Sequence, residues 1–162
     1  MPKKSSELEI VLDDDGNTAA VWRGTVFLQT RRGPLDARVF EKGETFFQLA
    51  LEKGAPAGLL SVVEAGAPMV TQDLRTLQRT SVDRLGAYVR ARVAAVFLGD
   101  DLTASLSRSS ARLLGVANPR IQRFQLVPPA VSWITQELTS LGCSFRSADL
   151  LTAIDTVRRR GA

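Results

Sequence analysis

Two adjacent aspartates, Asp100 and Asp101, are the side chains whose type and position first suggest chemistry in this sequence. They follow the apolar run 93–98, which has the pattern of a strand buried on both faces. A carboxylate pair at the end of such a strand could bind a metal ion or serve as general acid and base. Adjacent side chains usually point apart, however, and carboxylates are also favourable at the start of a helix capped by Thr103. We therefore expect a structural role for this pair.

Other residue types that carry catalysis are scarce. The chain has no histidine, which removes the commonest general base, the usual catalytic triad and most zinc sites. Cys143 is the only cysteine, so it cannot form an internal disulfide and has no histidine to activate it. Neither glycine-rich phosphate-binding motif is present, and the aspartates at 13–15 lack the ligand spacing of a calcium loop. We therefore expect no enzymatic activity, no cofactor and no metal site.

A cluster of hydroxyl groups follows the two aspartates. Ser105, Ser107, Ser109 and Ser110 fall within one predicted helix. The simpler interpretation is a small polar surface. The alternative is a phosphoacceptor cluster, because the helix dipole stabilises a phosphate near a helix N-terminus.

The charge of the chain is modest and dispersed. Its 162 residues carry a formal net charge of +4, and the arginines are scattered apart from a pair at 31–32 and a triplet at 158–160. Nucleic-acid-binding proteins usually concentrate such charge on one face and interleave aromatic residues, which make up only 6% of this chain. We therefore disfavour a nucleic-acid partner, and we interpret the arginine triplet as a solvated helix end.

The N-terminal sequence MPKKSSELEI contains no apolar run of signal-peptide length. No stretch of the chain approaches the roughly 20 apolar residues that a membrane span needs. We expect a cytoplasmic bacterial protein that does not insert into a membrane.

The elements that must position these residues alternate along the chain. Turn residues at 13–17 join two alternating segments into a predicted antiparallel hairpin. Residues 24–33 fit either an extension of its second strand or a separate strand. The predicted strands are 7–12, 18–23, 59–63, 93–98 and 121–127, and the predicted helices are a short one from Pro34, a longer one ending at Gly54, and those at 71–89, 103–114, 128–141 and 147–157.

This alternation predicts an α/β fold with a mixed, mostly parallel sheet and helices packed on it. We expect a disordered N-terminus at 1–6, the α/β domain at 7–142, and a C-terminal helix within 143–162 packed on the same domain. A chain of this length with 44% hydrophobic residues can bury one core of ordinary size without metals or disulfides.

Four segments carry a family resemblance: AAVWRG at 19–24, GLLSVVEAGA at 58–67, RVAAVFLGDDLTASLSRSSARLLGV at 92–116 and IQRFQLVPPAVSWI at 121–134. Together they resemble the STAS domain, the fold of anti-anti-sigma factors, and in particular a divergent group of bacterial single-domain proteins. The resemblance implies a non-enzymatic regulatory or scaffolding protein that acts in signalling through protein–protein interaction. STAS regulators typically carry an Asp-Ser-Ser-Gly-like motif whose serine is phosphorylated. Here the corresponding residues 64–71 read EAGAPMVT, so that serine is absent.

The resemblance also implies a docking surface, formed by the loop after the central strand and the start of the following helix. Gly66 and Pro68 shape an exposed loop there, and Met69 is either a hydrophobic staple or an adaptable contact for a partner. The neighbouring helix start would add a second edge, because both helices begin at the same end of a parallel sheet. The predicted partner-binding residues are Glu64, Met69, Val70, Thr71, Asp73, Arg75, Asp101 and Ser105.

The leading hypothesis is therefore a domain that binds another protein, a regulator or scaffold component, and a homo-oligomer is also compatible with the sequence. One alternative is a small ligand-binding α/β domain or an enzyme that uses the pocket at the strand C-termini, where open α/β sheets usually place ligands. Another is a basic nucleic-acid-associated protein, whose binding would weaken steeply with salt.

Overall fold

The computed structural model describes residues 7–99 and 118–162 of the chain, which form one six-stranded sheet and four helices. The strands are β1 (Leu8–Asp14), β2 (Asn17–Trp22), β3 (Val26–Arg31), β4 (Ala57–Val63), β5 (Ala91–Phe97) and β6 (Ile121–Phe124). The helices are α1 (Arg38–Lys53), α2 (Gln72–Ala87), α3 (Val127–Ser140) and α4 (Ser147–Arg160). The predicted α/β fold class is confirmed.

The strands follow one another across the sheet in sequence order, from β1 at one edge to β6 at the other. β1, β2 and β3 pair antiparallel, whereas β3, β4, β5 and β6 are mutually parallel. Asp15 and Gly16 turn β1 into β2 with positive φ angles of 47° and 75°, as a two-residue hairpin loop requires. Residues 24–33 contain the separate strand β3. The mixed, mostly parallel sheet therefore agrees with the prediction.

The two faces of the sheet are packed differently in the described part of the chain. α3 and α4 cover one face, where Leu60 and Val96 of the central strands meet Ile134 and Ile154 in a fully buried core. α1 covers part of the opposite face, and its apolar side chains pack on Phe27 of β3. α2 lies beside α1. The first face is therefore closed by tight packing, and the second provides the space in which a site can form.

Two element boundaries differ from the predicted ones. α1 begins at Arg38 rather than at Pro34, and it continues through Gly43, which the sequence suggested as a break. A Cβ atom at Gly43 would lie 3.7 Å from Cε1 of Phe27, so the helix passes close to that ring. β6 is shorter than predicted because Val127 already begins α3, whose prolines occupy first-turn positions that need no amide donor.

Helix α2 departs most from expectation. The sequence predicts it as the clearest amphipathic helix of the chain, yet none of its 16 residues is fully buried. Thr71 occupies the predicted N-cap position with an extended backbone, but its side chain makes no capping hydrogen bond. The apolar side chains of α2, such as Leu77 and Leu85, are only half-buried. Of these two side chains, Leu85 lines a cavity that is described below.

Several predictions fall outside the described residues. They concern the N-terminus at 1–6, the helix at 103–114, and the candidate residues Asp100, Asp101 and Ser105 with the neighbouring serines. Within residues 7–99 and 118–162, no helix is long and apolar enough to cross a membrane.

Candidate functional site

Glu64, the first residue after β4, is buried, with only 5% of its side chain exposed. Its carboxylate accepts hydrogen bonds from Nε of Arg158 at 2.8 Å and from Nη2 of the same residue at 3.2 Å. Nη2 of Arg32 donates to the same carboxylate at 3.4 Å. Glu64 therefore belongs to the base of the loop that follows β4 and not to its exposed surface. Arg158, expected at a solvated helix end, instead closes this cluster from α4.

A second buried charge, Arg31 at the end of β3, holds the other side of the loop. Arg31 is 6% exposed, and its Nη1 donates to the carbonyl oxygens of Pro68 at 2.6 Å and Gly33 at 3.0 Å. The amide of Ala67 donates to the carbonyl oxygen of Glu64 at 3.2 Å and closes the turn between them. Burial lowers the pKa of the Arg31 guanidinium. The loop is thus fixed to the sheet on both sides.

The remaining predicted docking residues lie together beyond this fixed base. Met69 and Val70 are half-buried, whereas Thr71, Asp73 and Arg75 are exposed at the start of α2. Val70, and not Met69, directly precedes the N-cap Thr71, and the residue at the usual staple partner position is Arg75. Met69, Val70 and Arg75 instead line the edge of a cavity.

This cavity has a volume of about 920 Å³ and lies between the sheet and helices α1 and α2. Its floor is made of residues that pair across the parallel strands, so they form rows that run from strand to strand. The rows are Phe27–Leu59–Val93–Ile121, Gln29–Ser61–Ala95–Arg123 and Arg31–Val63–Phe97. The first row is apolar, the second contains polar groups, and the third brings a buried guanidinium to the C-terminal edge of the strands.

The polar middle row distinguishes this face from an ordinary core. Strands covered by helices are usually apolar on both faces. Here Nε2 of Gln29 donates to Oγ of Ser61 at 3.0 Å across β3 and β4. The sequence interpretation missed both residues. A signal was present, because Ser61 is the one polar residue in the apolar run 59–63.

Among the residues that the structure describes, the cavity lining carries more positive than negative charge. Its charged residues among those described are Arg31, Arg75, Arg79, Arg84, Arg123 and Glu44. Glu44 pairs with Arg84 at 2.5 Å. Within residues 7–99 and 118–162, no carboxylate forms a salt bridge with Arg31, Arg75 or Arg79. The arrangement can therefore attract and hold an anion.

No family model matches the chain, and a search of curated proteins found no match either. The resemblance to the STAS domain therefore rests on the four quoted segments. Among the described residues, no group of three or more histidine, cysteine, aspartate and glutamate side chains could hold a metal ion.

Proposed function

We propose that the protein is a non-enzymatic regulatory or scaffolding domain that binds another protein through residues 69–75, which we name the docking segment. This segment comprises the end of the loop after β4 and the first turn of α2. One observation carries the proposal. Two buried charged side chains, Glu64 and Arg31, hold the base of the loop, while the docking segment beyond it stays accessible.

Burying two charged side chains to hold a loop costs free energy, so we infer that the fixed conformation of this loop matters for function. A charge removed from water costs several kcal/mol unless hydrogen bonds and opposite charges compensate it. Glu64 obtains that compensation from two arginines, and Arg31 obtains part of it from carbonyl oxygens. A loop held in one conformation loses less entropy on binding than a flexible one. Recognition residues are commonly found on such loops above a rigid scaffold.

The chemistry of the docking segment suits a protein partner. Met69 and Val70 offer half-exposed apolar surface, and Asp73 and Arg75 flank it with opposite charges. Methionine adapts to irregular apolar surfaces. We therefore expect the partner to present an apolar patch bordered by charges of complementary sign.

The STAS resemblance leads to the same segment by a separate route, because the corresponding loop is the regulatory surface of that family. The motif serine is absent from residues 64–71, so phosphorylation of this loop is not part of the proposal. The non-enzymatic part of the proposal is supported by Cys143. Burial raises the pKa of its thiol, which keeps it in the poorly nucleophilic protonated form.

The proposal is tested by affinity capture of the tagged protein from its native cells, with identification of the captured proteins. Met69→Asp and Arg75→Glu should each reduce recovery of the specific partner by at least fivefold, because the first places a charge in the apolar contact and the second reverses a flanking charge. The matched controls are Leu126→Asp, at a side chain that is 61% exposed, and Arg146→Glu, at one that is 84% exposed. Both controls should retain the partner.

Thermal unfolding of the same variants separates binding from stability. We expect the free energy of unfolding of Met69→Asp to fall by less than about 2 kcal/mol, since Met69 is only half-buried. A larger loss would make Met69 a core residue. Equal capture by both docking variants and both controls would place the docking surface elsewhere and contradict the proposal.

A further inference from the structure

We propose that the cavity between the sheet and helices α1 and α2 binds a small molecule with an apolar body and an anionic head, either a carboxylate or a phosphate monoester. This inference does not depend on the proposed protein partner. It rests on the size of the cavity, on the composition of its floor and on the unpaired charges around it.

The dimensions are those of a ligand site. Pockets that bind small molecules usually occupy about 300–1,000 Å³ and combine apolar walls with a few polar groups. The present cavity, at about 920 Å³, falls in that range. Exposed side chains such as Arg75 and Arg84 also line the cavity, so it opens to solvent and a ligand can enter.

The floor of the cavity has polar groups where a packed core would have none. Gln29 and Ser61 bond to each other in the middle of the sheet, and the small side chain of Ala95 beside Ser61 leaves space above the strands. None of the side chains of α2 is fully buried, so this helix does not close the space above the row as α3 and α4 close the opposite face.

The charges define the kind of ligand. Arg31 is 6% exposed, lines the cavity, and has only backbone carbonyl groups as hydrogen-bond acceptors among the described residues. A buried cation without a counter-ion is unfavourable, so an anion placed near it would be strongly stabilised. Arg75 and Arg79 are one helical turn apart on α2, line the same cavity, and form no salt bridge within the described part of the chain. Guanidinium groups bind carboxylate and phosphate with matching geometry.

The arginines and the apolar residues that line the cavity lie toward opposite ends of the strands, and this separation sets the orientation of the ligand. Arg31 ends β3, and α2 starts at that same edge with Arg75 in its first turn, so the anionic head belongs there. The apolar row that contains Phe27 and Leu59 lies toward the other end of the strands. Leu85, near the end of α2, faces that region. An apolar body would therefore extend from the arginines toward this row.

The test measures binding of four probes that share one twelve-carbon chain: dodecanoate, dodecyl phosphate, dodecanol and dodecyltrimethylammonium. Each is titrated below its micelle concentration against the full chain, by displacement of the fluorescent sulfonate 1-anilinonaphthalene-8-sulfonate and by the shift of the melting temperature. We expect at least one of the two anions to bind at least tenfold more tightly than the alcohol and the cation. The difference between the two anions identifies which head group the site prefers.

Variants locate the site. Arg75→Gln combined with Arg79→Gln should weaken binding of the preferred anion at least tenfold and leave binding of dodecanol unchanged. Both side chains are exposed, so the melting temperature without ligand should stay within a few degrees. The matched control Arg146→Gln, on the chain outside the cavity, should bind like the unmodified protein. Ser61→Leu, which fills the middle of the cavity floor, should weaken binding of all four probes.

Three results would each overturn the inference: no anionic probe binds the unmodified protein, dodecanol binds as tightly as the anions, or the double arginine variant binds the anions like the Arg146→Gln control. None of these results bears on capture of the protein partner through Met69. Failure of one proposal is therefore distinguishable from failure of the other.

Discussion

The cluster around Glu64 leads to a quantitative stability prediction for Glu64→Gln. This substitution keeps the size and one acceptor oxygen of the side chain but removes its charge. A hydrogen bond to a charged group contributes about 1.5–3 kcal/mol, and breaking a fully buried ion pair costs about 3–5 kcal/mol. Arg158 is 29% exposed, so water can partly hydrate the guanidinium that loses its partner. We therefore expect a loss near the lower end of these values, about 2 kcal/mol.

The assay is urea unfolding followed by circular dichroism, with calorimetry for the melting temperature. A loss of about 2 kcal/mol should lower the melting temperature by roughly 4–8 °C for a chain of this length. The matched control is Glu7→Gln, because Glu7 pairs with Arg23 at 3.0 Å but is 64% exposed. Exposed pairs contribute about 0–1 kcal/mol, so the control should change stability by less than about 1 kcal/mol.

A double-mutant cycle with Arg158→Gln isolates the interaction itself. Glu64 and Arg158 are in direct contact, so the two substitutions should be non-additive by at least about 1 kcal/mol. If Glu64→Gln costs no more than Glu7→Gln, or if the cycle gives a coupling energy near zero, the buried cluster does not stabilise the fold. The account of how the loop after β4 is held would then be wrong.

Two further predictions concern the core and the cysteine. Val96 is fully buried between the central strands and α3. Val96→Asp should therefore lower the free energy of unfolding by several kcal/mol, which is comparable to the whole stability of a domain. A cooperative thermal transition of this variant near that of the unmodified protein would contradict the core assignment. Burial raises the pKa of the Cys143 thiol, and the charge of Arg90 offsets only part of that rise, so less thiolate is present at any given pH. Alkylation of Cys143 by iodoacetamide should therefore reach its half-maximal rate at a higher pH in the folded protein than in urea, and equal midpoints would refute this.

The sequence by itself determined most of the secondary structure and the fold class. The apolar run at 59–63, interrupted only by Ser61, and most of the run at 93–98 lie in two neighbouring parallel strands, because strands covered by helices are usually apolar on both faces. Turn residues at 13–17 form the first hairpin, since Gly16 accepts the positive φ angle that the turn needs. These features depend on neighbouring residues only. Hydrophobic periodicity and turn chemistry are therefore sufficient to find them.

The candidate site could be predicted only in part from the sequence. The sequence located the loop at 64–71 and the start of α2, because glycine and proline interrupt the apolar pattern there. It did not distinguish the exposed Thr71 from the buried Glu64, since a charged residue next to a loop is usually solvated. The ion pair that buries Glu64 comes from a residue 94 positions away along the chain.

Tertiary structure alone decided the cavity and its charge. Gln29 and Ser61 become neighbours only through the register of β3 on β4, and Arg31 meets Pro68 only because the loop returns over the end of the sheet. The amphipathic pattern of α2 predicts a helix but not its distance from the strands. The position of α2 depends on contacts with distant segments, such as the ion pair between its Arg84 and Glu44 of α1. Local patterns report which face of an element is apolar, whereas contacts between distant segments determine how closely the faces approach and which charges remain unpaired.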